Sequence, residues 1–220
     1  MHGITRQFQE RMRNEGRILG EMPERKTPAA PGLTEIAQLE ALVSASLSVD
    51  LEMLSGESSN ERKGEIKRDV LLPKYASYVA RLKAVGSKHE ILGYQFVWLF
   101  DAGHIGEALE YAKDYMASGG KLPERFNSSP GFFVANQFIT WAEKACNDEH
   151  DVEPYFSEVF AAAKDWNLPD TLTARFYRLR GLRAMQMQDF KAAVPDLERA
   201  LELGAKVETK LKEARKKITD

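Results

Sequence analysis

The chain has 220 residues, 43% of them hydrophobic and 29% charged, and 31 basic against 33 acidic side chains give a formal net charge of −2. This is the composition of a soluble globular protein with a sizeable core; the balanced charge excludes wholesale coating of nucleic acid but not local basic faces, because binding responds to local potential. One cysteine, Cys146, excludes an internal disulfide framework and fits a reducing compartment, no apolar run approaches the roughly 20 residues that span a bilayer, and the N-terminus lacks the apolar core of a signal peptide.

Apolar residues Ile4, Phe8, Met12 and Leu19 recur at helical spacing, which predicts a basic amphipathic helix over residues 1–22. Residues 23–32 are Pro-rich and read as a linker. Thr34 is positioned to cap a helix that runs to about residue 54, and Ser55-Gly56-Glu57-Ser58-Ser59-Asn60 breaks it. Charged residues dominate from Glu61 to Asp69, and Pro73 then fits the first turn of a new helix, where its missing N–H is harmless. That helix closes near Gly86 and completes a helical region over residues 33–88.

From residue 89 to 220 the helices come in pairs: 89–101 with 105–117, 131–147 with 152–165, 171–187 with 190–203, and a last helix to about 217. No segment sustains a period of two, so the fold class is all-α. A repeat underlies the pairs. Gly103-His104-Ile105-Gly106-Glu107-Ala108-Leu109 aligns with Gln188-Asp189-Phe190-Lys191-Ala192-Ala193-Val194 at an offset of 85 residues. Ala108 and Ala193 would let paired helices approach closely, the pattern of tetratricopeptide-like antiparallel hairpins. Pro195 lies inside the second copy and is expected to remove one helix hydrogen bond and kink it.

Eight Lys or Arg and three acids lie between Glu61 and Lys88. Lys63, Lys67, Lys74 and Arg81 recur at intervals of four and seven, so on a continuous helix they share a face able to neutralise phosphates; the alternative is a solvated helix face. Arg6, Arg13 and Arg17 fall opposite Phe8 and Met12, as a DNA-contacting arm or an ordinary exposed face. Arg175, Arg178, Arg180 and Arg183 crowd one helix, but their spacing spreads them around it. Leu39, Leu42, Val43, Leu47, Leu51 and Leu54 make residues 33–54 apolar enough to suggest self-association; packing of this helix on its own chain is the alternative. Most aromatic residues between Tyr94 and Trp141 are expected in the core.

Catalytic chemistry is harder to place. Cys146 and His150 share a helix face without a second ligand pair, so no zinc site is expected. Pro195-Asp196 followed by Glu208-x-Lys210 has the letters of a PD…ExK nuclease signature, yet both pieces fall in predicted helices, whereas that chemistry normally places its acids on adjacent strands. No Walker loop, dinucleotide fingerprint or nucleophile elbow is present, and no catalytic residue, metal or cofactor is assigned.

The order of these features resembles the small terminase subunit of peduovirus-type tailed bacteriophages, a family also called the terminase endonuclease subunit. The resemblance covers residues 63–204. It rests on a basic run that includes Lys63, Lys67 and Arg68 before Leu71-Leu72-Pro73, and on the aromatic–valine pair Tyr78-Val79. The stretch from Trp98 to Glu110 is similar to the family's W-R-x-D-x-G-D-I-x-x-A-L-E, matching at Asp101, Gly103, Ile105 and Ala108-Leu109-Glu110, with His104 in place of the commoner Asp. Ala192-Ala193, Leu197 and Ala200 correspond to its A-A-x-x-x-L-x-x-A segment.

The resemblance implies a role in viral genome packaging. Such a subunit recognises the packaging site on double-stranded viral DNA and positions the large terminase subunit, which carries the ATPase and generally the nuclease, in the cytoplasm of the bacterial host. It also implies a homo-oligomer, with DNA binding and oligomerisation placed in residues 33–88. Some members carry a Lys/Arg-rich C-terminal tail; the sequence here stops at Asp220, so DNA binding by such a tail is not expected. Two other functions stay open: a tetratricopeptide-like protein-interaction scaffold without DNA binding, and an intrinsic Mg²⁺-dependent endonuclease.

Overall fold

The computed structural model describes residues 32–219, and every element in it is helical. The predicted helix over residues 1–22, with Arg6, Arg13 and Arg17, lies outside the described residues, as does nearly all of the predicted linker. The described residues divide into two units between Gln38 and Leu39. Of the first, the described part is the opening of helix α1 (Leu33–Gly56), where the Gly32 N–H donates to the Glu35 carboxylate at 3.1 Å.

The larger unit begins with the rest of α1. Ser59 then accepts a hydrogen bond from the Arg62 N–H and caps α2 (Asn60–Ile66). A π-helical turn, Lys67–Leu71, leads without interruption into α3 (Leu72–Ala84). Three consecutive pairs follow: α4 (Ile91–Asp101) with α5 (Ile105–Ala117), α6 (Pro130–Asn147) with α7 (Tyr155–Ala163), and α8 (Asp170–Gln186) with α9 (Phe190–Glu202). Helix α10 (Glu208–Thr219) packs on α9. The predicted spans match these to within about three residues, except that α1 already begins at Leu33, so Thr34 lies inside it instead of capping it; α9 runs through Pro195 on both sides.

The main core is aromatic. Phe96, Trp98, Phe138, Phe156 and Phe176 are almost wholly buried, and rings from α4 to α8 meet edge to face, as at Phe96–Phe100 (5.7 Å, 90°), tilted, or stacked, as at Phe138–Phe176 (6.4 Å, 13°). A smaller cluster, with Leu197 and Leu211 at its centre, joins α9 and α10. Small residues set the closest approach. Ala108 and Ala193 are fully buried, and a Cβ on Gly181 would lie 2.8 Å from Leu197 Cγ.

The 85-residue repeat is repeated in backbone geometry. After α4, Gly103 takes φ 78° and the His104 N–H donates to the Leu99 carbonyl; after α8, Gln188 takes φ 62° and the Asp189 N–H donates to the Ala184 carbonyl. After α5 and α9, Gly119 (φ 73°) and Gly204 (φ 91°) do the same through Gly120–Tyr115 and Ala205–Ala200. These closures supply partners for the last carbonyls of each helix and turn the chain back on itself. Only glycine adopts this left-handed conformation without steric cost. Gln188→Gly is therefore expected to raise stability by about 1 kcal/mol, and Gly204→Ala to lower it by about as much, read from urea unfolding midpoints at constant m-value.

Candidate nucleic-acid interface

The basic stretch becomes one continuous rod, α2–π–α3, with a change of register in the middle. The Leu72 N–H bonds the Lys67 carbonyl, five residues back, where an α-helix would reach four. Pro73 explains the change. It has no N–H for the Asp69 carbonyl, and in an α-helix its ring would collide with that oxygen. The wider turn relieves the collision and inserts one residue, about 100° of helical rotation. The regular spacing of Lys63, Lys67, Lys74 and Arg81 therefore does not put them on one face.

Each cation has its own setting. Lys67 points inward at the end of α4: its Nζ lies 2.6 Å from Asp101 and its side chain is 13% exposed. Lys74 folds onto α1, 2.7 Å from Asp50. Arg68 is exposed and grips its neighbour Asp69 at 2.9 Å, which holds the Asp69 carboxyl below its usual range. Lys63 is half-buried and Arg81 exposed, and neither makes an ion pair among the described residues. Helix α3 contains no acid: its exposed positions are Pro73, Lys74, Ala76, Ser77, Ala80, Arg81, Lys83 and Ala84.

Two acids that helical spacing did not single out fix this arrangement. Asp50 is 11% exposed at its side chain, and the same Oδ2 receives Lys74 and the Tyr75 hydroxyl, the latter at 2.6 Å. Burial foremost, and the Asp50 carboxylate after it, push the Tyr75 phenol far above its usual range. A signal for Asp50 exists in the sequence: it falls on the register of Leu39, Val43, Leu47 and Leu54, the buried face of α1. Asp101 is the matching acid for Lys67. A second tie holds α1 in place. His89 Nδ1 accepts from the Ile91 N–H at 3.1 Å, so Nε2 carries the proton and faces Ser44 Oγ at 2.7 Å.

The residues expected on a self-association face divide in two. Leu39, Val43, Leu47 and Leu54 are buried in the chain's own core, and Leu51 packs partly against it. Leu42 is 58% exposed, together with Val49 and Met53, which lie on the same outer side.

The remaining candidates are tied into the fold. Arg175 and Arg178 meet Glu143, Arg183 meets Glu153 at 2.7 Å, and Arg180 grips Asp196 with two guanidinium nitrogens. Asp196, the acid of the nuclease-like letters, is therefore a buried ion-pair partner on α9, and Glu208 stands at the start of α10. Among the described residues no three His, Cys, Asp or Glu side chains converge as a metal site would require, and no helix is long and apolar enough to cross a membrane.

Comparison with known proteins gives a consistent answer. The profile of the phage small terminase subunit family matches residues 44–171, from the middle of α1 to the first residues of α8. The chain is 29% identical over 164 residues to a probable terminase, endonuclease subunit of Haemophilus phage HP1, covering 72% of this chain and 58% of that protein. It is 26% identical over 160 residues to a terminase, endonuclease subunit of Escherichia phage P2, covering 71% of this chain and 64% of that protein. The chain thus matches less than two thirds of the length of either relative. No solved structure matches. With more than half of its length matched by the family profile, and the basic rod and first two helix pairs inside the match, the chain belongs to the phage small terminase subunit family.

Proposed function

We propose that the chain is the DNA-recognising, self-associating adaptor of a phage packaging terminase, acting in the cytoplasm of the bacterial host. Its partners are double-stranded viral DNA, further copies of itself and the large terminase subunit. The observation that carries the DNA reading is helix α3. Its outer side carries no acid and a run of small residues, so a phosphate backbone could approach it closely; of its cations Lys74 is held by Asp50 and Lys83 lies 3.8 Å from Asp114, which leaves Arg81 without an ion pair among the described residues. Arg62, Lys63 and Arg68 add further cations along α2 and the π turn, among the acids Glu61, Glu65 and Asp69, of which Glu65 meets Arg62 and Asp69 meets Arg68.

The competing reading is a tetratricopeptide-like scaffold that binds only proteins, and the helix pairs alone are compatible with it. A mobility-shift titration with packaging-site DNA at several salt concentrations separates the two; absence of binding at low salt sinks the DNA reading. The combined change of Lys63, Arg68 and Arg81 to Glu should weaken binding. It should also make the slope of log K against log salt shallower by roughly 0.9 for each phosphate no longer neutralised. Unchanged affinity and slope in a folded variant would reduce the rod to a solvated face.

Lys74 has to be tested separately because it also neutralises a buried acid. Lys74→Ala is expected to cost about 1–3 kcal/mol of stability by stripping a charge-assisted hydrogen bond from Asp50. Arg81→Ala, with no ion pair to lose, should stay within about 0.5 kcal/mol of the parent. Thermal and urea unfolding distinguish these outcomes, and equal losses would contradict the assigned pairings.

A further inference from the structure

Two apolar surfaces of the larger unit have no partner within it. One is the outer side of α1. Leu42, Ala45, Val49 and Met53 fall at i, i+3, i+7 and i+11, and Val49 and Met53 are 66% and 45% exposed. Glu52 is the single charged residue among the exposed positions from Ala41 to Met53, and it makes no ion pair among the described residues. The other is a groove of 540 Å³ between α5 and α7. Leu109, Ala112 and Met116 form one wall, Val159 and Ala162 the other, and Val134 of α6 lies between. The walls differ in charge. Lys113 stands on the α5 side and Glu158 on the α7 side, both exposed and neither ion-paired among the described residues.

We infer that these surfaces are the two halves of one head-to-tail contact between copies of this chain: the outer side of α1 of one copy lies in the α5–α7 groove of the next. The inference rests on the self-association part of the proposed function and names its surfaces. Three features select a second copy as the occupant. The groove needs an inserted helix face with bulky apolar side chains, and α1 has one at helical spacing. Small groove residues, Ala112 and Ala162, provide room for Leu42 and Val49. The charges set the orientation, because Glu52 is attracted to Lys113 on one wall and repelled by Glu158 on the other. Since the surfaces differ, the contact is heterologous, and repetition around an axis closes a ring or extends a filament.

The test uses purified full-length chain and light scattering. Leu42→Asp with Val49→Asp removes the helix half, and both positions are exposed, so the fold should tolerate the change. Lys113→Glu with Met116→Asp removes the groove half. Each variant alone should be monomeric where the parent is oligomeric, whereas an equimolar mixture should form a dimer and nothing larger, joined by the one intact helix face and the one intact groove. Circular dichroism and thermal unfolding check folding. In a separate pair, Lys113→Glu alone should weaken assembly about tenfold, and adding Glu52→Lys should restore it. A monomeric parent overturns self-association itself. An oligomeric parent whose assembly ignores the groove and charge-swap variants overturns the pairing, and would leave α1-to-α1 contact in its place.

Discussion

Pro73 imposes the constraint on which the basic surface depends. A continuous helix from Asn60 to Ala84 can pass through a proline only if the preceding turn changes shape, and here it widens into the π turn Lys67–Leu71. The added residue rotates everything before Pro73 relative to everything after it. Lys67 then meets Asp101 at the end of α4, while Lys74 meets Asp50 on α1. Leu71, Leu72, Tyr75, Val79 and Leu82 still line the core. Outside the two captured lysines, Arg68 in the π turn and Arg81 on α3 stay exposed, and in the proposed reading these are the cations that meet a phosphate backbone.

The two captured lysines do different work from the free ones. Asp101 closes α4, where a negative charge opposes the helix dipole, and Lys67 offsets it. Asp50 is a carboxylate in an otherwise apolar helix face, and burying it is tolerable because Lys74 and Tyr75 both bond to it. The same interactions hold α1 against α3, supported by the His89–Ser44 contact at the start of α4. Stability of the rod and availability of its cations are thus linked: a residue that neutralises a buried acid is a poor choice for binding an external anion, although its identity in the sequence is the same.

Much of this is legible in the sequence. Apolar spacing and breaker residues mark the helices from α1 to α10, and the 85-residue repeat corresponds to paired left-handed closures at Gly103 and Gln188 and at Gly119 and Gly204. The order of the LLP break and the D-x-G-x-I turn points to the family that the comparisons show. What sequence spacing could not supply was rotation. A strict helical count puts Lys67 and Lys74 on one face, and only the inserted π residue separates them. Nor could composition say which side of α1 is covered, because both sides are apolar: Val43 and Leu47 go to the core while Leu42 and Val49 stay outside. The arginines of α8 were ambiguous for a similar reason, since their partners Glu143, Glu153 and Asp196 come from distant segments.

The central claim is that α3 is the element that faces DNA. Photo-crosslinking from single cysteines in a Cys146→Ala background tests it most directly, with a probe at Ser77 on the exposed side of α3, a second at Thr140 on α6 and a third at Lys212 on α10. The account predicts strong crosslinks to packaging-site DNA from Ser77, suppressed by salt, and only background from Thr140 and Lys212. Crosslinks from Lys212 with none from Ser77, in protein that binds DNA normally, would contradict it and move the interface to the C-terminal helix.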